Sequence, residues 1–376
     1  MTTNPFIVSG YIAEPYFCDR EKETEILCKC ISNQENVVLT SQRRMGKTKL
    51  VEHSIEQETV KGQYIFISID ILHTSTLREF ILVFGHAVFS HIAKKSERLT
   101  KLFATTMRSL NASFGYDPLQ NMPTFDIKLG DILRPEYTLE EIFEYIEKAD
   151  QRCIIVIDEF QQITKYPEKN IEALLRSHVQ KLANANFIFA GSQRTIMEEM
   201  FFSGKRPFFM SATALQLEPI EYGKYLSFVN HHFQEAGMQI PEDAVRLAYD
   251  TFQGVTLYVQ RVMHDVWAEM SLTKEYKESL MQDIIDGYIQ ECSPRLREQL
   301  AFVSESQKEL LYAVCHEESV KSITSSAFVK RHGLKSPSAV QAASKKLLEF
   351  DLLTKREGNY CIADPLLSIW LKSQFN

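Results

Sequence analysis

Residues 37–55 read VVLTSQRRMGKTKLVEHSI. Val37-Val38-Leu39 is a short apolar run, and with the residues behind it the stretch reads as strand, loop, helix. The loop, Ser41-Gln42-Arg43-Arg44-Met45-Gly46-Lys47-Thr48, matches GxxxxGK[ST] at every fixed position but the first, where serine stands for glycine. Such a loop curls backbone N–H groups around a β-phosphate, and the helix behind it adds a favourable dipole. Gly46 is expected to let the backbone approach closely. Lys47 is expected to reach the β- and γ-phosphates, and the Thr48 hydroxyl to ligate Mg²⁺. Serine is small, so the strand-to-loop turn is expected to survive the exchange at Ser41.

About 110 residues further on, Ile154-Ile155-Val156-Ile157 is an apolar strand that ends in Asp158-Glu159. A buried parallel strand delivers its C-terminal residues to the ligand crevice. Asp158 is placed to hold Mg²⁺, and Glu159 to take a proton from an attacking water. Two acids after a core strand are common on their own. Two acids after the strand–loop–helix, in this order, point to ATP with Mg²⁺. Gly191-Ser192-Gln193 comes after a further apolar run, Phe187–Ala190. Ser192 there either contacts the γ-phosphate or positions water, or is simply part of a strand-to-loop turn.

Around these sites the pattern is regular. Apolar runs at 37–39, 64–69, 153–157 and 187–190 alternate with helical stretches, among them 20–34, about 76–94 and about 168–183. Near-continuous apolar strands separated by helices mean a parallel sheet covered on both faces. Residues 99–134 break the rhythm with turn signals, and one short strand is expected there. After Pro219 the strand runs stop and helical patterns cover about 220–300. The last stretch reads as three helices and then a hairpin around Glu357-Gly358, which is a winged-helix pattern. The expected architecture is an α/β P-loop NTPase core (1–215), an α-helical lid (216–300) and a C-terminal winged-helix domain (301–376).

Composition agrees with a folded protein of two or three domains: 376 residues, 44% hydrophobic and 24% charged. A net charge of −7 argues against bulk attraction to nucleic acid. Residues 301–376 nonetheless carry ten Lys/Arg against eight Asp/Glu, a local balance of +2. Seven scattered cysteines form no CxxC pair, which fits a reducing compartment and makes zinc improbable. No signal-peptide pattern and no run of 18 apolar residues occurs, so the expected location is cytoplasmic with no membrane association.

These residues resemble the AAA+-like P-loop ATPases of the prokaryotic "archaeal ATPase" family, close to the STAND and origin-recognition groups. The likeness rests on Phe17-Cys18-Asp19-Arg20-Glu21 with Glu23 before the first strand, and on Gln42-Arg43-Arg44-Met45-Gly46-Lys47-Thr48, similar to the family's P-R-R-x-G-K-T. It rests further on Ile157-Asp158-Glu159-Phe160-Gln161, on Gly191-Ser192, and on the closing Asp364-Pro365-Leu366 with Trp370-Leu371. The resemblance covers essentially the whole chain. It implies an ATPase core, a helical lid and a winged helix. It also implies that Gly254–Tyr258 forms a lid turn near the adenine, with Tyr258 as a cofactor-binding residue; the other reading is a plain interhelical turn. Arg20 would either bring the N-terminal segment over the adenine side or pair with Glu23 or Glu25. The chain departs from the family at Pro207-Phe208-Phe209-Met210-Ser211, where P-L-Y-G-R is common and its arginine is a finger. Arg194 and Arg206 are the nearest substitutes, and solvated surface arginines are the preferred reading of both.

The expected function is a slow ATP-dependent switch, in which ATP closes the lid and shifts the winged helix. The alternative is a DNA-binding regulator or DNA-transaction helper whose recognition helix is about Pro337–Phe350, with Lys335, Lys345 and Lys346 available to phosphates. Otherwise that helix docks on the ATPase core with Leu347, Leu348 and Leu352 facing inward, or the domain binds protein; a protein partner or homo-oligomer is the expected company. A GTPase is disfavoured because no guanine-reading N-K-x-D occurs, and a kinase because no acceptor pocket is evident.

Overall fold

The computed structural model describes residues 3–10, 12–93, 97–110, 113–117 and 122–374. They pack as two compact units, one of residues 20–42 and 47–217, the other of the N-terminal segment to Asp19, residues 43–46 and everything from Glu218 onward.

The first unit is built on five strands: β1 (Val37–Thr40), β2 (Ile65–Asp70), and, after an excursion, β5 (Cys153–Asp158), β6 (Ala185–Gly191) and β7 (Thr213–Gln216). Their order in the sheet is β2-β5-β6-β1-β7, and every pairing is parallel. Helices α1 (Glu21–Ser32), α2 (Lys47–Glu56), α3 (Leu77–His91), α5 (Pro135–Glu147), α6 (Ile171–Lys181) and α7 (Arg194–Phe202) supply the connections. The strands are apolar throughout because both faces are covered: all of β1 and β6 and the first five residues of β5 are buried. Register then decides where the polar residues fall. Thr40 pairs with Gly191 and Ile157 with Phe189, so β1, β5 and β6 end level with one another. Ser41, Asp158, Glu159 and Ser192 therefore emerge along one edge of the sheet.

Two features differ from expectation. The stretch expected to hold one short strand instead forms α4 (Glu97–Thr106) and an antiparallel pair, β3 (Ser113–Asp117) with β4 (Met122–Asp126). Its residues 111–112 and 118–121 lie outside the described ones. The edge strand β7 is an addition. Thr213 and Ala214 are exposed on it, so its apolar signal is confined to Leu215.

The second unit contains α8 (Tyr222–Glu235), α9 (Glu242–Thr251), α10 (Thr256–Thr273) and α11 (Leu280–Ala301). It continues through α12 (Glu305–Glu317), α13 (Ser326–Arg331), α14 (Pro337–Glu349), the hairpin β8 (Leu353–Arg356) and β9 (Asn359–Ile362), and α15 (Pro365–Ser373). Three helices, a hairpin and a closing helix form a winged helix. One apolar core runs through this unit, joining Val262 and Trp267 of α10 to Leu310 of α12, Leu347 of α14 and Leu371 of α15. Trp370 donates its indole N–H to Ser293 Oγ on α11 at 2.9 Å. Phe6 from the N-terminal segment is fully buried against Trp267 and Phe233. Helix starts are set locally: Ser336 accepts from the Ala339 N–H, and Asp364 accepts from the Leu366 N–H with Pro365 at the first turn.

Candidate functional site: a phosphate-binding loop and its carboxylates

Within the sheet unit, the loop that leaves β1 begins at Ser41, which is 1% exposed. Its hydroxyl donates to the Gln42 carbonyl at 2.8 Å and accepts from Lys47 Nζ at 3.4 Å. Serine thus fits the first-glycine position and adds an acceptor that holds the buried Lys47 ammonium. Lys47 and Thr48 open α2, where backbone N–H groups lack intrahelical acceptors and attract anions.

Gly46 adopts φ +91, and a Cβ built on it would meet no protein atom within 4 Å. Glycine is required there by backbone angle rather than by crowding. Arg44 also sits in the left-handed region, at φ +67. Left-handed residues alternating with right-handed ones are the backbone pattern that gathers N–H groups into anion-binding concavities.

Facing the loop's end in the same unit is the tip of β5. Thr48 Oγ1 donates to Asp158 Oδ2 at 3.1 Å, and the other Asp158 oxygen accepts the Glu159 N–H at 2.9 Å. Burial pushes the Asp158 carboxyl above its ordinary value, against the pull of Lys47 in the other direction. A hydroxyl beside a half-buried carboxylate is a pair of hard oxygen donors, the kind a Mg²⁺ ion takes. Glu159 is strained at φ +55. That turn aims its carboxylate at Ser192, whose hydroxyl donates to Glu159 Oε2 at 2.6 Å, and at the Gln161 side-chain amide, which donates to the same oxygen. Gly191 makes room for Gln161: a Cβ on it would lie 2.5 Å from Gln161 Oε1. The sequence assigns Gln161 no role, and its spacing two residues after the glutamate is the signal by which it could have been found.

The other expected residues fall elsewhere. Arg20 adopts φ +77 just before α1 and donates to Glu23 at 2.8 Å, the helix-pairing option of the two open for it. Arg194 pairs with Glu198 at 2.7 Å on its own helix. Arg206 pairs with Glu172 at 2.7 Å and lies 3.6 Å from Glu199. In the helical unit, Gly254 does make a turn, at φ +67, and Tyr258 lies at the start of α10. Tyr258 is buried, and its hydroxyl is held by both oxygens of Asp364 at 2.9 and 2.8 Å. Burial first, and the Asp364 charge second, push that hydroxyl far above the ordinary tyrosine range, so it remains a donor. Met45, like Arg43, Arg44 and Gly46, belongs to this unit, and its carbonyl accepts from Thr256 Oγ1 at 3.4 Å. Gln42 stays with the sheet unit.

A parallel sheet with a lysine-bearing glycine loop after one strand and paired acids after another defines a P-loop ATPase. Residues 17–262 match the family described as an ATPase domain predominantly from Archaea, and the chain belongs to it. Residues 295–373 match a probable winged helix domain. The chain therefore carries an ATP-binding domain of this family and, behind it, a winged helix. It is similar to an uncharacterized ATP-binding protein of Methanocaldococcus jannaschii, 27% identical over 157 residues. That match covers 39% of this chain and 43% of the relative, so it spans less than half of the relative's length. Among solved structures, the Walker-type ATPase of Pyrococcus abyssi superposes with a TM-score of 0.67 at 17% identity, covering 98% of this chain and 99% of that one. The ORC2 protein of Aeropyrum pernix, in ADPNP and ADP complexes, gives 0.58 at 12% identity over 99% and 98%. The ORC1 protein of the same organism, in complex with DNA, gives 0.53 at 14% over 95% and 93%. At these identities the likeness is one of fold. Among the described residues no helix is long and apolar enough to cross a membrane.

Proposed function

We propose that the protein is a slow, nucleotide-dependent switch that binds ATP with Mg²⁺ and couples its turnover to the winged helix. The observation that carries this is the gathering of Lys47, Thr48, Asp158, Glu159 and Ser192 at the level ends of three neighbouring strands. Lys47 neutralises the β- and γ-phosphates, and the loop N–H groups hold their oxygens. Thr48 and Asp158 are the residues that would hold Mg²⁺, which when bound neutralises phosphate charge. Glu159, steadied by Ser192 and Gln161, accepts the proton of the attacking water. In conventional terms the loop is a Walker A motif and Asp158-Glu159 a Walker B motif. The three-part division into core, lid and winged helix at about 215 and 300 belongs to the same reading, as does a cytoplasmic location.

The deciding test is Lys47→Ala. Affinity for a fluorescent ATP analogue should be lost, because no other side chain of the loop places a cation where Lys47 lies. Wild-type affinity in that variant would reject the assignment.

A second reading, DNA binding, has one specific observation in its favour. On α14 the exposed positions include Lys335 just before it, Ser338, Gln341, Lys345 and Lys346, while Val340, Ala343 and Leu347 face the core. That exposed stripe is the face a winged helix offers to a groove. In this reading ATP controls the winged helix rather than serving as fuel. A protein partner or a second copy of the chain is the remaining company for the switch.

A further inference from the structure

The two arginines of the phosphate-binding loop are held by two carboxylates more than 300 residues away in the chain. Arg44 Nη1 lies 2.6 Å from Asp364 Oδ2, and Arg43 Nε lies 2.9 Å from Asp351 Oδ2. Asp351 follows α14 at φ +57, and Asp364 caps α15. All four residues belong to the helical unit. The Arg44 side chain is 29% exposed and stands over the ring of Tyr258, 5.2 Å from its centroid, while the Tyr258 hydroxyl donates to Asp364. The backbone is held as well. The Arg44 carbonyl accepts the Leu257 N–H at 3.1 Å, and the Met45 carbonyl accepts the neighbouring Thr256 hydroxyl at 3.4 Å.

From this we propose that Asp364, acting through Arg44 and braced by Tyr258, is a positioning residue for the phosphate-binding loop, so that the winged helix sets nucleotide affinity. The proposal rests on the ATP-binding reading and names the residues that would regulate it. The physical reason is geometric. A non-glycine residue at φ +67 costs on the order of 1 kcal/mol or more and persists only where its surroundings hold it. Here both ends of Arg44 are held, its carbonyl by the start of α10 and its guanidinium by Asp364. That fixed turn sets the direction of the N–H groups of Met45 and Gly46 that follow it, groups of the kind a phosphate reads. The Arg44 contact is the stronger of the two: it is the less exposed, charge-assisted and backed by an aromatic ring. Arg43, 41% exposed on Asp351, is the weaker brace. The same contact gives a use to the closing Asp-Pro: Asp364 starts α15 and grips the loop at once.

The test separates positioning from folding. Asp364→Asn keeps the helix cap, since asparagine caps as well as aspartate, but removes the charge that holds Arg44. Its affinity for a fluorescent ATP analogue should fall about tenfold, the scale of one charge-assisted hydrogen bond. Arg44→Gln should fall equally, and the double variant should be no worse than either single one. Circular dichroism and thermal melting check that each protein is folded at the assay temperature. Wild-type affinity in folded Asp364→Asn, or additive losses in the double variant, would overturn the proposal. If Asp364→Asn does not fold, Tyr258→Phe and Arg44→Lys take its place, and unchanged affinity in both overturns it. Lys47→Ala runs in parallel: should it bind like wild type, the underlying ATP site has failed, not the brace.

Discussion

Glu159 is where single atoms decide chemistry. Its carboxylate is turned by a left-handed backbone and held by the Ser192 hydroxyl at 2.6 Å. Glu159→Gln should keep ATP binding and slow turnover by about a hundredfold or more, the range for losing a general base. Ser192→Ala leaves the proposed base in place but loosens it, and should cost roughly tenfold, about one lost hydrogen bond. Steady-state phosphate release measured beside analogue binding checks both. Turnover at the wild-type rate in Glu159→Gln would place the base elsewhere. Two glycines give a second contrast. A Cβ on Gly254 would lie 2.8 Å from Pro219 Cβ and from the Tyr249 ring, at φ +67. Gly254→Ala should lower stability by about 1–3 kcal/mol, read by denaturant melting. Gly46→Ala meets open space but is forced into the same left-handed region, so it should cost only that backbone strain, about 1–2 kcal/mol, together with nucleotide affinity.

The strands that carry the site are legible in the sequence because each is a run of apolar residues buried on both faces, such as Cys153–Ile157 and Phe187–Ala190. The edge strand β7 is not, because exposed Thr213 and Ala214 leave no run to read. Ser41 is legible as a departure but not as an acceptor for Lys47, since that depends on a loop closing over six residues. The pairing of Arg44 with Asp364 has no local signal at all: both residues stand in motifs, and only folding puts them 2.6 Å apart. Helix α14 presents the face on which the DNA reading can be tested. Lys345 and Lys346 are exposed on it, though Lys346 is already paired with Glu349. Any DNA contact through it should be mainly electrostatic, weak and sequence-tolerant. Replacing Lys345 and Lys346 together by Glu should abolish a mobility shift seen at low salt, and affinity of the parent chain should fall steeply with salt. No shift with micromolar wild-type protein, with or without ATP, would leave the helix a protein-binding or structural element.

For the molecule as a whole, the pertinent quantity is how fast one chain can turn over ATP. Phosphoryl transfer needs positive charge on the transferring group beyond the lysine and the metal, and an arginine finger contributes on the order of a thousandfold or more. The arginines that come into question are engaged. Arg194 pairs with Glu198, Arg206 with Glu172, Arg43 with Asp351 and Arg44 with Asp364. Drawing Arg44 away would release the turn at φ +67 that shapes the loop, so the residue cannot serve both ends. Pro207–Ser211, where the family resemblance leads one to expect a finger, holds no arginine. Dilute protein should therefore hydrolyse ATP below about 1 s⁻¹, the lower end of typical enzyme rates. If a second copy or a partner supplies the missing charge, specific activity should climb with concentration or on adding that partner, and Lys47→Ala should abolish the rise. Phosphate release across a concentration series, with solution mass measured alongside in ATP, checks this. Tens of turnovers per second from a dilute monomer would show that one of these paired arginines leaves its carboxylate during the reaction, and Arg194→Ala and Arg206→Ala would then identify which.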